Sequence, residues 1–449
     1  MDVESSIATW KAEIAAQSHL AVEELDELED HLRDAMEGLR AAGLDEEEAF
    51  LVASRRMGSS SVLAGELAAA DRDKTWVQLP VADDGAAQGS VRREIGLVAL
   101  AALAAAALGK LPLLFGVSLR TAEGVTVYGL NLSLFVIPVL IACYYVARRL
   151  PKSLVAPIGA VIAVSAVAVN VYPFDTAGST LLLTTLHLPM LLWLVLGLAY
   201  TSGEWRNVRA VWDFIRFTGE FFVYSVLIGL GGAVFMMLTT TFFAAVGLDI
   251  EDMLMEWVGL SGLLGVPIVA AYLVEKKRSL IENIAPILAR IFIPIFLVMT
   301  VVFLGVSLTR LEMLAQDRNL LIMVDLLLAL ITGMILYDLS ARDSAAPFTF
   351  VDLMSVLLMS AALAIDLLAL GGIAARLSQF GLSPNRVAAL GENILLLANL
   401  AGLVYHYLRF RQGTGSRRDI LSWQVRCVPW YVVWLVSVVF ILPLLYRFA

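Results

Sequence analysis

The sequence predicts an all-α protein, a polytopic membrane helix bundle of about eleven transmembrane helices preceded by a small acidic helical domain. Three observations predict it. Of 449 residues, 59% are hydrophobic and only 16% are charged, against about 25% charged in a typical soluble chain. The charge is unevenly divided: residues 1–90 hold 20 acidic and 7 basic groups, a net of −13, and the remainder holds 21 acidic and 25 basic groups, a net of +4. That remainder breaks into apolar runs close to the ~20 residues a helix needs to cross ~30 Å of hydrocarbon.

Residues 1–70 read as three or four short helices. Between Ala21 and Arg40, Leu25, Leu28, Leu32, Met36 and Leu39 recur three or four apart and form an apolar stripe with acids opposite. Gly43 ends this helix. Asp45 then caps another, with Glu48 three residues on, close to a capping box, and Phe50, Leu51 and Ala53 supply its apolar face. The helix stops at Gly58, and Ser59 to Ser61 open a last short one through Leu67. Residues 71–93, with Pro80, Gly85 and Gly89, read as a linker. The opening MDVESSIATW is polar and acidic, without the basic n-region of a cleavable signal peptide.

The membrane domain occupies residues 94–449, with spans at about 95–118, 128–147, 154–172, 180–201, 217–246, 253–274, 286–308, 319–338, 351–371, 387–408 and 429–446. None alternates as a barrel strand would, so helices are expected. The fifth run is long enough to tilt or break. In the sixth, GLSGLLGVP carries Pro267 and predicts a break or kink. Gly229, Gly231 and Gly232 in the fifth run, with Gly259, Gly262 and Gly265 in the sixth, predict close helix approach.

Basic residues set the expected orientation. With the N-terminus inside, the inner loops collect 17 Lys and Arg, including Arg148, Arg149, Lys276, Lys277, Arg417 and Arg418, and the outer ones collect 6. A bacterial inner-membrane protein with a cytoplasmic N-terminus and an external C-terminus is therefore expected. Trp205, Trp212, Trp423, Trp430 and Trp434 fall near the inner boundary, where aromatic anchors belong.

Polar residues inside spans are costly in lipid and are candidate functional groups. They are Lys110, His187, Glu220, Arg290, Asp325, Asp366, Glu392, Asn393, Asn399 and His406. Lys110, His187, Asp325, Asp366 and Glu392 lie roughly 7–12 Å from the outer edges of their spans at ~1.5 Å per residue. Five helices thus bring ionisable groups to one layer, a candidate polar pocket with Lys110 as counter-charge to the acids. The alternative is that Lys110 pairs with one acid while the others reach the interface or bond to neighbouring helices. Glu220 and Arg290 lie nearer the inner side. Cys143 and Cys427 are too far apart to form a metal knuckle. No Walker loop, HExxH, Gly-x-Ser-x-Gly or Cys-x-x-Cys occurs, so no catalysis, cofactor or metal is expected.

The run ELEDHLRDAMEGLRAAGLDEEEAFLVASRRMG resembles the bacterial permease prefix (HAAS-type) helical domain over about residues 5–70. It combines an acidic-Leu-x-x-His-Leu helix containing His31, a Gly-Leu-x-x-x-Glu-Ala-Phe turn into a helix, and a basic end at a glycine. The resemblance implies a docking or signalling module, associated with PadR-type winged-helix regulators encoded beside such proteins. His31 has no partner residue in the sequence and is expected to pack within the head. The segment RLSQFGLSPNRVAALGENILLLANL, around Gly381 to Arg386, is similar to domain-of-unknown-function family 4153, which implies one integral unit and no stated activity. Ser383 suits a helix N-cap and Pro384 its first turn.

These features predict a membrane sensor or regulatory protein whose head docks a cytoplasmic partner such as a PadR-type regulator. The alternative is a small-molecule or ion transporter gated by the head. Direct nucleic-acid binding is disfavoured, because a head at −13 repels phosphate.

Overall fold

A computed structural model describes residues 84–148, 150–276, 285–309, 318–342 and 346–449, together with 45–56 and single positions between Ile7 and Arg40. The chain divides into two compact units, Met1–Val81 and Ala82–Ala449.

In the first unit, α1 (Glu46–Arg56) begins directly after Asp45, whose carbonyl accepts the Ala49 N–H at 2.9 Å. Leu32 and Met36 of the predicted stripe are buried, as are Phe50 and Ala53 of α1, and Ile7 and Ala49 join them. Leu39 is half-buried. Glu29 accepts from Lys11 at 2.7 Å and from both Nε and Nη2 of Arg33, at 3.0 and 2.8 Å. The hydrogen bond from Lys11, then that from Arg33, holds the Glu29 carboxyl below its ordinary range. His31, Leu25 and Leu28 lie outside the described residues.

The second unit contains eleven helices long and apolar enough to cross a membrane among the described residues. They are α2 (Asp84–Leu114), α3 (Ala122–Arg148), α4 (Lys152–Val171), α5 (Ser179–Tyr200), α6 (Val208–Ala245), α7 (Glu251–Lys276), α8 (Ala285–Thr309), α9 (Arg318–Ser340), α10 (Phe350–Phe380), α11 (Pro384–Arg411) and α12 (Arg417–Leu445). Helix is the state that satisfies each backbone group within its own segment, which lipid requires. Helix α2 starts at Asp84, so residues 84–93, read as linker, are helical. Helix α6 is a single unbroken helix of 38 residues. No break occurs at Pro267, where the helix expected to break or kink continues; a π-turn at Met255–Gly259 instead ends on the first glycine of the GLSGLLGVP segment. A second π-turn interrupts α12 at Ser437–Ile441.

The main core lies where α8, α9, α10, α11 and α12 meet, with Leu328, Ile331, Ile365, Leu400 and Leu403 fully buried. Helix α2 packs on α7 and α3; α3 packs on α5; α5 packs on α11 and α12. The tightest approaches use glycines other than those predicted. A Cβ at Gly391 would strike Trp434, one at Gly402 Trp423, one at Gly219 Tyr337, and one at Gly197 Phe214. Gly229, Gly231, Gly232 and Gly262 have nothing within 4 Å of an added Cβ, whereas Gly259 and Gly265 do face neighbours. The tryptophans divide in the same way. Trp205 and Trp430 are exposed. Trp212 donates to the Leu421 carbonyl and Trp423 to that of Asn399, both at 3.1 Å. Those two, with Trp434, bridge helices and are not free interfacial anchors.

Candidate functional site

The candidate polar residues separate into two groups because their helices have different neighbours. Lys110, near the end of α2, meets α7. Its Nζ donates to the Glu256 carbonyl in the π-turn and lies 4.7 Å from the centre of the Trp257 ring. The Glu256 side chain, itself buried, accepts from the Ser118 hydroxyl at 2.7 Å and faces Arg120 at 3.6 Å. A π-turn leaves its carbonyls out of α-helical register and often marks a functional or strained point, and here a lysine takes up one of them. Lys110 is thus not the counter-charge of the acids. Its helix packs on α3 and α7, and the acids are carried by α9, α10 and α11.

The other four residues converge. Asp366, midway along α10, is fully buried, and neither carboxyl oxygen has a hydrogen-bond partner. It lies within electrostatic reach of Asp325 on α9, and Asp325 within reach of Glu392 on α11. Asp325 accepts from Asn393 Nδ2 at 2.8 Å, and Asn393, fully buried, also donates to the Ala389 carbonyl at 2.8 Å. His187 on α5 places Nδ1 2.8 Å from the Leu183 carbonyl, so Nδ1 carries the hydrogen. Its Nε2 stands 3.9 Å from a Glu392 oxygen, too long for a direct hydrogen bond. The Glu392 side chain remains one-third exposed and gives this group an edge at the bundle surface.

A polar layer continues from the acids into α12. Asn399 and Gln424 exchange amide hydrogen bonds at 2.7 and 3.2 Å, and Asn399 also donates to Tyr431 at 3.0 Å. Tyr431 in turn senses the charge of Glu392 and Asp366. Asn399 therefore belongs beside the predicted set, joined by Gln424 and Tyr431. Their wide spacing along the sequence carried no signal. Of the remaining candidates, Glu220 pairs with Arg216 one turn away at 3.1 Å, Arg290 is exposed, and His406 packs its ring 5.7 Å from that of Trp423.

A second buried network escaped the sequence reading. Arg417 and Asp352 are both fully buried and 3.4 Å apart. Arg342 bridges Asp352 at 3.0 Å and Asp338 at 2.6 Å. Asp352 also closes the cap of α10, accepting from the Thr349 N–H at 2.7 Å and hydroxyl at 2.8 Å. The Thr-x-x-Asp pattern ahead of an apolar run was the available sign. A buried pair this well bonded fixes geometry, and removing one partner strands the other.

A cleft of about 400 Å³ between α3 and α5, lined by Val125, Thr126, Gly129 and Thr185 among others, contains none of the predicted residues. Among the described residues no group of three His, Cys, Asp or Glu side chains is placed to hold a metal ion. No family model, no curated protein and no solved structure matches the chain.

Proposed function

We propose that this integral membrane protein is a sensor or regulatory protein of a bacterial inner membrane, with a cytoplasmic N-terminus and an external C-terminus. The membrane body receives a signal, and the acidic head passes it to a basic surface on a cytoplasmic partner of the PadR type. The observation that carries the reading is the division of the chain at Val81, which sets a compact acidic unit apart from an apolar body. Asp45 and Glu46 are exposed on the head and offer it a negative face. The resemblance to permease prefix domains supports the partner class. The test is binding of a purified PadR-type regulator to the full-length protein in nanodiscs. Binding is expected at low salt and should weaken by about tenfold in Asp45→Lys/Glu46→Lys. Absence of binding would remove the partner from the proposal.

A second reading, a transporter for an ion or small solute, is favoured by Asp366. Buried unpaired acids within spans mark ion pathways and proton relays in membrane proteins. Reconstituted vesicles distinguish the readings. Turnover of a solute across the bilayer supports transport, and saturable binding without flux supports sensing.

A further inference from the structure

We infer that Asp366, with Asp325 beside it, forms a binding site for a small monovalent cation, a proton or a sodium-sized ion, at mid-depth in the bundle. The inference deepens the sensing reading by naming what the body binds, and it rests on that reading only for its consequence, not for the binding itself.

Three helices pack on α10, namely α8, α9 and α11. Helix α8 offers one charged group, Arg290, exposed near its start. Helix α9 carries Arg318 at its start, two turns before Asp325, then Tyr337 and Asp338 some three turns beyond it, where Asp338 pairs with Arg342. Helix α11 carries Arg386, whose guanidinium donates to the Phe380 and Gly381 carbonyls, then Glu392, and Tyr405, His406, Tyr407, Arg409 and Arg411 towards its opposite end. On α10 itself Asp352 belongs to the Arg417 network, and Arg376 lies ten residues beyond Asp366. From α12, Tyr431 senses the Asp366 charge.

The groups nearest the carboxyl are therefore acids and a phenol, and none is a cation. A buried charge requires pairing, hydrogen bonds or neutralisation. Both oxygens of Asp366 lack the second, and among the described residues no cation pairs with it. A mobile cation supplies what the fold omits. The lack of a three-donor group among the described residues argues against a tightly chelated divalent metal. A proton needs only one carboxyl oxygen, and for a sodium-sized ion Asp325 is the neighbouring acid that can add further oxygen ligands. His187, with Nδ1 committed to the Leu183 carbonyl, presents Nε2 towards Glu392 at 3.9 Å.

The test uses the full-length protein in nanodiscs, with no partner present, so its outcome is independent of the docking experiment. Thermal unfolding of wild type and Asp366→Asn is followed in sodium against choline at fixed pH, and across pH in choline alone. The wild type should gain roughly 3–5 °C at a hundredfold excess of the bound cation over its dissociation constant. Asn is a neutral isostere, so Asp366→Asn should fold and lose that gain. A sodium response at fixed pH identifies the metal ion, and a response to pH alone identifies the proton. Identical responses of both proteins to both cations would overturn the site. Should Asp366→Asn fail to assemble, infrared difference spectra of the unmodified protein between cation-loaded and cation-free states decide the matter. A change in a buried-carboxyl band is expected, and its absence overturns the inference.

Discussion

Asp366 and Lys110 have opposite charges, yet Lys110 lies near the end of α2 and Asp366 midway along α10, on different helix contacts. Lys110 is satisfied by a π-turn carbonyl and an indole face, and Asp366 is left to its acidic neighbours. Distance along a helix is readable because every residue adds a fixed rise, but α10 extends past its expected limit at 371 to Phe380. Azimuth and neighbour are not readable, because they depend on which helices pack together. Lys110→Met and Asp366→Asn should therefore be additive in thermal stability within about 0.5 kcal/mol. A larger coupling in the double mutant would restore Lys110 to the acid cluster. At Glu29 the bonds from Lys11 and Arg33 lower the folded-state carboxyl relative to the unfolded chain. The unfolded chain thus binds the proton more readily, so this contribution is present above the ordinary glutamate range and is lost as pH falls through the folded value. Melts of residues 1–81 across acidic pH should show Glu29→Gln less stable than wild type near neutrality, with the two curves converging in acid. Parallel curves would place the acid sensitivity elsewhere.

At the scale of elements, two contacts hold the C-terminal helices in place. Asp352 caps α10 and neutralises Arg417 at the start of α12, so one carboxylate ties two helix ends together. Asp352→Ala should cost about 3–5 kcal/mol, since it leaves a fully buried guanidinium with one partner fewer. Asp352→Asn, which retains a cap acceptor, should cost less. Equal losses in detergent melts would assign the effect to the ion pairs alone. Gly402 lets α11 approach the Trp423 indole, and Gly402→Ala should cost about 1–3 kcal/mol through overpacking. Gly231→Ala, on an open face, should be neutral or stabilising, because alanine is the better helix former. The reverse order in a melting comparison would mean that α6 is packed in the membrane by something outside this chain. Glycine spacing in the sequence pointed to α6 and α7, which do pack with Gly259 facing Met236, but not to the tightest seats at Gly391 and Gly402. Small residues permit an approach, and only a large side chain opposite makes it close.

For the whole molecule, if all eleven candidate helices among the described residues cross the membrane, the two ends of the body lie on opposite sides of it. A reporter fused after Ala449 should behave as external, and one placed between Arg411 and Arg417 as cytoplasmic. Finding both on one side would remove the odd-span arrangement. The sequence by itself determined the all-helical class, the number of spans and most of their limits to within six residues, while the starts of α2, α6 and α12 and the end of α10 lie nine to twelve residues beyond the expected bounds. It also placed much of the buried stripe of the head. These follow from local quantities: hydropathy over one helix length, the three-to-four periodicity of one face, and the capping chemistry at one end. Tertiary structure alone decided that Asp325, Asp366, Glu392 and His187 meet while Lys110 stands apart, that Trp423 and Trp434 seat on glycines, and that Arg417 is buried against Asp352. The physical reason is that lipid imposes the same requirement on every span, an apolar surface and a satisfied backbone, and so leaves helix pairing to side-chain shape and polar partners distant in the chain.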